Sequence, residues 1–434
     1  MERPEQRTGL GSGNRMHPPS NHEKLSGIRS AFNLRVSLLF LLQLLTGIVT
    51  APCYTFLPVY LSDLGRTAVF ISMVFSVQRT IALVSSLAGG TLSDFLSRKQ
   101  TLLLGQVGVI AATLVFISPL SALVIVFWSL NGFGVSLNTL GGQSYLLDNA
   151  NHAYLGMLTA FYFWGYTLGA AIGSPLAGLL LGLTGYRTLG LCLTCLGLLA
   201  LGVTARCLPP SANERQDAGR ANQGATEPAR DAEPRSGLFG YRELALRPVV
   251  LLLVSLRFLP TFCYGMMTIF IPLLLKRAEA TTGIIALYAT TSSLCAAFLQ
   301  MAVGRIADRT GPKWPSVVAY SMLLCSSICV GLFSQSLWPT FVLGVVGISA
   351  AWSLSVLLSP LVASVTKAFE RGRVLGYIHL FWNAAMILSS LVGGVLFETW
   401  TGLPFIVGGA VVVACPPLVF VFFRLVRAAQ PQHG

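Results

Sequence analysis

The stretch GGTLSDFLSRK, residues 89–99, has a counterpart in VGRIADRTGPK, residues 303–313. The two stretches lie 214 residues apart, and the same offset aligns other positions of the chain. The aligned pairs include Gly90 with Gly304, Asp94 with Asp308, and Pro58 in FLPVYL with Pro272 in FIPLLL. Each stretch follows the second apolar run of its half of the chain. The sequence therefore predicts two copies of one unit in the same orientation, which is a parallel repeat.

The apolar runs around these stretches are long enough to cross a membrane, since about 20 helical residues span a hydrocarbon core of about 30 Å. The composition agrees: 54% of the residues are apolar and only 10% are charged, against about 25% charged residues in an average soluble domain. Each span must be a helix, because lipid offers no partner to an unpaired backbone group. Twelve spans are predicted, at 34–61, 68–92, 101–118, 122–147, 155–183, 188–207, 248–275, 283–306, 315–335, 337–366, 374–397 and 403–423.

One long polar stretch interrupts this series between the sixth and seventh spans. It reads PPSANERQDAGRANQGATEPARDAEPRSG, a composition typical of a flexible linker. The predicted organisation is a disordered cytoplasmic tail over 1–33, a six-helix bundle over 34–207, a cytoplasmic linker over 208–247, a second six-helix bundle over 248–423 and a cytoplasmic tail over 424–434.

The basic residues predict which side of the membrane each loop occupies. The two tails, the linker and the segments after the second, eighth and tenth spans hold 23 of the 29 Lys and Arg residues. The segments on the opposite side hold four, namely Arg66, Arg187, Lys276 and Arg277. Because membrane proteins concentrate Lys and Arg in their cytoplasmic loops, both termini and the linker are predicted to be cytoplasmic. The net charge of +13 is thus a topology signal, and no nucleic-acid partner is expected.

Both copies of the repeated stretch resemble the signature of the major facilitator superfamily, written G-x-L-A-D-R-x-G-R-K. The residues that keep the pattern are Gly90, Leu92, Asp94, Arg98 and Lys99 in the first copy and Gly304, Ala307, Asp308, Arg309, Gly311 and Lys313 in the second. The resemblance covers nearly the whole chain beyond the tails and the linker. It implies an all-α integral membrane protein with twelve transmembrane helices in two six-helix bundles, the fold of a secondary transporter.

The resemblance also implies a role for the signature residues. They would latch the two bundles together on the cytoplasmic side, and the set consists of Gly90, Asp94, Arg98, Gly304, Asp308, Arg309 and Gly311. The alternative is that they are turn residues whose charges set the topology. Two departures stand out: Ser97 replaces a Gly of the signature, and Trp128 replaces the Arg of the R-x-x-Q-G-x-G motif of proton-coupled exporters. The second departure argues against an ordinary proton-driven drug pump.

Two basic residues are predicted to lie deep inside spans. Arg79 is near the middle of the second span and Arg257 is in the seventh, while no Asp or Glu lies at that depth. Charged groups inside a membrane are expensive and usually face a cavity, and an Arg fork matches a carboxylate or phosphate. The repeat places Gln43 opposite Arg257. We therefore expect these three residues to bind an anionic substrate. The open alternative is that each Arg bonds helix carbonyls and amides.

Five further polar residues are candidates for substrate contact. Asn131 and Asn138 share one face of the fourth span, His379 and Asn383 share one face of the eleventh, and Tyr264 follows Arg257 by one to two turns. Packing between helices would explain each of them as well. His379 is the only His in a predicted span, which makes it the candidate proton carrier.

These features predict a carrier of small organic or inorganic anions that works by alternating access in the cell (inner) membrane. The alternatives are a multidrug-type exporter and a sensor that keeps the fold without transporting. No catalytic residue, metal site or cofactor is expected, and the nine Cys residues lie in or beside apolar runs with no disulfide framework. The expected partners are a small-molecule substrate and the lipid bilayer, with a coupling ion left open and the protein a monomer.

Overall fold

All the regular structure that the computed structural model describes is helical. It describes residues 34–149, 155–210, 247–363, 365 and 371–429. Thirteen helices lie in these ranges: α1 Leu34–Asp63, α2 Ala68–Phe95, α3 Arg98–Leu114, α4 Ser121–Asn149, α5 Leu155–Thr184, α6 Tyr186–Cys207, α7 Pro248–Arg277, α8 Thr282–Thr310, α9 Lys313–Leu332, α10 Leu337–Ala363, α11 Arg371–Thr399, α12 Leu403–Val412 and α13 Cys415–Ala429.

Eleven of the twelve predicted spans each coincide with one helix to within four residues at either end, which confirms the all-α membrane fold. The third span differs at both ends, since α3 begins three residues earlier and ends four residues earlier than predicted. The side chain of Ser97 accepts a hydrogen bond from the backbone N–H of Gln100 at 3.1 Å, and Gln100 Oε1 accepts one from the Ser97 N–H at 3.0 Å. This capping box fixes the start of α3. The predicted tail 1–33 and most of the predicted linker lie outside the described residues.

The twelfth predicted span is two helices rather than one. A two-residue turn at 413–414 separates α12 from α13, and Pro416 and Pro417 follow in the first turn of α13. Proline lacks a backbone N–H and fits the first turn of a helix better than its interior, so two successive prolines favour the start of a new helix at this point.

The packing of the first half recurs in the second. In the first half, α1 packs on α5, and both α2 and α3 pack on α4; in the second, α7 packs on α11, and both α8 and α9 pack on α10. Glycines permit some of these contacts: Gly169 and Gly173 of α5 lie against the backbone carbonyls of Leu44 and Ile48 of α1, where a Cβ atom would clash. The Gly spacing in the fifth span therefore serves close helix packing.

Helices of the two halves meet through α1 with α7, α2 with α11, and α5 with α8. At the end of the molecule that carries the turns 64–67 and 278–281, polar contacts join the halves. Lys276 Nζ lies 2.5 Å from Asp63 Oδ1, and Glu398 Oε1 accepts a hydrogen bond from the Val69 N–H at 3.0 Å. Thr282 Oγ1 donates to the Gly178 carbonyl at 3.4 Å. We call this end, opposite Leu34 and Pro248, the closed end.

The outer surface suits a lipid environment. Large apolar side chains such as Leu183, Phe298 and Trp338 are exposed on it. Eleven segments of the described chain are long and apolar enough to cross a membrane, while α3 is 17 residues long and continues into the turn at 115–117. The protein is therefore a multi-pass membrane protein.

Candidate functional site

Arg257 lies on α7, where a proline shapes the helix around it. Pro260 has no backbone N–H to offer the carbonyl of Leu256, and the hydroxyl of the buried Tyr320 donates to that carbonyl at 2.7 Å instead. The guanidinium of the half-buried Arg257 donates through Nη1 to Ser355 Oγ at 2.9 Å. It has no carboxylate partner among the described residues. The fold thus holds a cation inside the spanning region with only a neutral side-chain partner.

A cleft opens beside this guanidinium between α7, α10 and α11. The cavity has a volume of about 60 Å³ and is partly open to solvent. Tyr264 and Trp352 meet across the cleft edge to face, with ring centroids 6.1 Å apart. The walls are formed by Arg257, Pro260, Thr261, Tyr264, Ala351, Trp352, Leu354, Ser355 and Trp382.

Arg79 approaches the same region from the first half of the chain. Its guanidinium carbon lies 5.6 Å from the ring centroid of Tyr54 on α1 and 5.5 Å from that of Trp382 on α11. The half-buried side chain has no hydrogen bond or ion pair within the part of the chain that the structure describes. Its contacts are cation–π contacts, and they join the two halves through one residue.

The two Arg residues are at different depths. Arg79 lies eleven residues from the closed-end terminus of α2, and Arg257 lies twenty residues from the closed-end terminus of α7. At 1.5 Å per residue these are depths of about 17 and 30 Å. The sequence placed both near the middle of the membrane, whereas their backbones are separated by about 13 Å along the helices. Trp382 lies between them and contacts both the Arg79 guanidinium and the cleft.

Asn131 and Asn138 are buried within the first half. Asn131 Nδ2 donates to the Gly108 carbonyl at 3.3 Å, and Asn131 Oδ1 accepts from Tyr54 at 3.3 Å. Gln106 Nε2 donates to Asn138 Oδ1 at 3.2 Å and to Thr46 Oγ1 at 3.1 Å. The amide groups of these residues join helices of one half. We call Thr46, Gln106 and Asn138 the amide network.

The remaining predicted site residues lie outside the walls of this cleft. Gln43 is 7% exposed and packs beside Gly165 of α5. His379 is exposed, with its ring centroid 6.4 Å from that of Trp382, and Asn383 Nδ2 donates to its backbone carbonyl at 3.0 Å. No three His, Cys, Asp or Glu side chains of the described ranges come together as metal ligands.

The signature residues occupy helix ends rather than the predicted loops. In the second copy, Gly304, Asp308 and Arg309 lie in the last two turns of α8, and Asp308 and Arg309 are exposed. Gly311 ends α8 with φ +81°, a conformation that favours glycine, and its N–H donates to the Ala307 carbonyl at 2.9 Å. The helix extends this far because the chain needs only Gly311 and Pro312 to turn into α9.

The structure of the first copy explains why it departs from the signature where the second copy keeps it. Gly90 and Asp94 lie in the last turns of α2, and their side chains lie outside the described residues. Ser97, aligned with Gly311, caps α3 through its hydroxyl, which a glycine could not do. Arg98 Nε lies 3.4 Å from Asp148 Oδ2 of α4. Trp128, the other departure, is fully buried between Tyr54 and Phe75.

The repeated fold and the matched sequence agree on a family. The family model of the Major Facilitator Superfamily matches residues 39–282 and again 278–434. The chain belongs to the major facilitator superfamily. The resemblance of the two signature stretches to this superfamily is thereby confirmed, and so is a transporter fold of two repeated halves.

Solved structures of the superfamily share this fold at low sequence identity. A POT family transporter in complex with a thioalcohol-conjugated peptide superposes with a TM-score of 0.71 and 14% identity, over 90% of this chain and 96% of that one. A bacterial homologue of the human lysosomal transporter Spinster, in an inward-facing and unoccupied conformation, gives 0.69 and 12%, over 93% and 100%. No curated protein sequence matches.

The structure also adds site residues that the sequence did not single out. Trp352 and Ser355 of α10 reach the cleft, and Tyr54 contacts Arg79. Both α10 residues lie in the apolar run AAWSLSVLL, which carries no spacing signal for a site. Their role depends on how α10 packs against α7.

Proposed function

We propose that the protein is a secondary active transporter that moves a small organic or inorganic anion across the cell (inner) membrane by alternating access. It acts as a monomer on a small-molecule substrate, without catalytic chemistry. The observation that carries the proposal is the pair Arg79 and Arg257, two guanidinium groups in the spanning region that face no carboxylate among the described residues. An anionic substrate supplies the missing counter-charge, since buried charges are usually paired.

Alternating access requires that the two halves close on one side of the membrane at a time. The contacts Lys276–Asp63 and Glu398–Val69 hold the halves together at the closed end. The distribution of Lys and Arg favours termini in the cytoplasm and a closed end that faces outside. The conformation is then the inward-facing one, with the Arg257 cleft nearer the cytoplasmic side. Asp94 and Asp308 of the signature act as the latch of the opposite, outward-facing state.

Arg257 is the main anion ligand in this proposal, because it lines the cleft with Tyr264. Arg79 contacts the substrate after the halves rearrange and its contact with Trp382 is released. Gln43, Asn131 and Asn138 hold the helices around the site, and His379 with Asn383 flanks it on α11.

One observation favours the multidrug-type exporter as a second candidate. Three of the nine residues that form the cleft walls are aromatic, and four more are Pro, Ala, Leu and Thr. Pockets for lipophilic drugs are mostly apolar and aromatic. The net charge of the transported molecule separates the two functions.

The test is transport into proteoliposomes that contain the purified protein. We expect uptake of labelled organic or inorganic anions and no uptake of a lipophilic cation such as tetraphenylphosphonium. Arg257→Gln should nearly abolish anion uptake, and Arg257→Lys should reduce it sharply, since Lys keeps the charge but loses the fork. Arg187→Gln, at an exposed Arg of the closed end, is the matched control and should transport normally. Cation transport that survives Arg257→Gln would establish the exporter and overturn the anion carrier.

A further inference from the structure

We propose that the ligand of the Arg257 cleft is a singly charged aromatic anion, such as an aromatic carboxylate. This inference rests on the proposed anion transport and specifies its substrate class. The cleft has one ionic pole and one aromatic pole, and these two poles support the assignment together with the placement of the second guanidinium.

The ionic pole of the cleft can neutralise one negative charge on a ligand. Arg257 is the only charged residue among the nine that form the walls. Its Nη1 donates a hydrogen bond to Ser355 Oγ. Because Ser355 Oγ accepts that bond, its own hydroxyl proton remains available to donate to a ligand. The Thr261 hydroxyl already donates a hydrogen bond to the Arg257 carbonyl at 2.6 Å. One fork and one hydroxyl match a carboxylate, whereas in this conformation a phosphate or sulfate dianion in the cleft would lack a second counter-charge.

The aromatic pole surrounds the rest of the cleft. Tyr264 and Trp352 form an edge-to-face pair at 85°, and Trp382 provides a third ring on α11. Pro260 and Leu354 complete the apolar wall. Aromatic rings prefer offset-stacked or edge-to-face neighbours, and such pairs gain stability beyond the apolar area that they bury. A planar aromatic ring is therefore the group that these walls select over an aliphatic group of similar size.

Arg79 explains why one charge, and not two, is selected. Its guanidinium is engaged by the rings of Tyr54 and Trp382 at 5.6 and 5.5 Å. Its backbone lies about 13 Å from the level of the Arg257 backbone along the helices. Arg79 is not among the residues that form the cleft walls, so a ligand in the cleft meets one fork in this conformation. The ring of that ligand would lie beside Trp382, which Arg79 already contacts.

The test is isothermal titration calorimetry on the purified full chain in detergent with five probes. They are benzoate, cyclohexanecarboxylate, acetate, phosphate and benzyltrimethylammonium. We expect benzoate to bind about two- to thirteenfold more tightly than cyclohexanecarboxylate, the range that one aromatic contact supplies. Acetate and phosphate should bind more weakly still. Benzyltrimethylammonium, which has the ring with the opposite charge, should not bind.

Variants locate the preference in the cleft. Trp352→Leu should keep the carboxylate site and reduce benzoate to the affinity of cyclohexanecarboxylate, while Arg257→Lys should weaken both carboxylates together. Trp338→Leu, at an exposed Trp near the other end of α10, is the matched control and should change neither. The comparison of benzoate with cyclohexanecarboxylate on the unmodified protein decides the question even if a variant does not fold.

The outcomes separate the two proposals. Equal affinity for benzoate and cyclohexanecarboxylate, or tighter binding of phosphate, would overturn the aromatic class while leaving anion transport in place. Binding of benzyltrimethylammonium with no binding of any anion would overturn both. A benzoate preference that persists in Trp352→Leu and in Trp382→Leu would place the ring elsewhere and overturn the assignment to this cleft.

Discussion

Lys276 is the residue whose replacement tests the closed end most directly. It connects the second half to the first twice, through the ion pair with Asp63 at 2.5 Å and through a hydrogen bond to the Val59 carbonyl at 3.3 Å. The side chains of Lys276 and Asp63 are 26% and 43% exposed, so the ion pair is worth only about 0.5–1 kcal/mol. The long hydrogen bond adds about 0.5 kcal/mol.

Lys276→Met should therefore weaken the closed end by about 1–1.5 kcal/mol. Because an equilibrium between two conformations shifts by the difference in their free energies, the population with this end open should rise roughly five- to thirteenfold. Asp63 keeps its hydrogen bond from Tyr186 within the first half, so the fold should be unaffected. The double variant Lys276→Met, Asp63→Asn should add little to the single one, since the two residues act through one contact.

The assay is single-molecule energy transfer between dyes at Arg187 and Gln335, which lie on the two halves at the closed end and are exposed. The dyes should be attached through unnatural amino acids, because nine native Cys residues interfere with thiol labelling. Arg66→Met is the matched control, since Arg66 lies at the same end and contacts the Phe70 ring within one half. An unchanged distribution in Lys276→Met, or an equal change in Arg66→Met, would refute the reasoning.

Three further predictions concern other parts of the chain. Asp94→Ala and Asp308→Ala should each lower transport while leaving membrane insertion intact, with the larger effect at Asp94; normal flux in proteoliposomes for both variants would rule out the latch. If protons drive transport, flux should depend on pH, because His379 is the candidate proton carrier. The pH dependence should then disappear in His379→Ala, and its survival would remove His379 from the mechanism. Ser97→Ala should cost about 1 kcal/mol of stability and Ser97→Gly only a few tenths, because glycine is a tolerable cap; a thermal-unfolding series in which both variants melt at the temperature of the unmodified protein would show that the cap contributes nothing.

The sequence predicted the helices well because span length is a physical requirement of the bilayer. The helix boundaries that the sequence misplaced lie where local side chains determine where a helix begins or ends. The capping box of Ser97 and Gln100 starts α3 early, and the turn before Pro416 divides the last span. These are short-range effects, and the length and apolar composition of a 20-residue run do not predict them.

The candidate site was only partly predictable. Spacing along one helix places Arg257 and Tyr264 on the same side of α7, and both line the cleft. Spacing likewise places Asn131 and Asn138 on one face of α4, but periodicity does not reveal whether that face meets a neighbouring helix or a cavity. Trp352 and Ser355 could not be found, because their proximity to Arg257 arises from the packing of α10 on α7.

The amide network has a consequence for the roles of the two halves in substrate binding. At the offset of 214 residues, Thr46 corresponds to Pro260 and Asn138 to Trp352. The amide network of the first half therefore occupies the position that corresponds to the cleft of the second half. In the proposed transport cycle the substrate would therefore stay bound to the second half, and the first half would close against it with Arg79 as its charged contact. A hybrid that combines this second half with the first half of another member would inherit the selectivity of the second half.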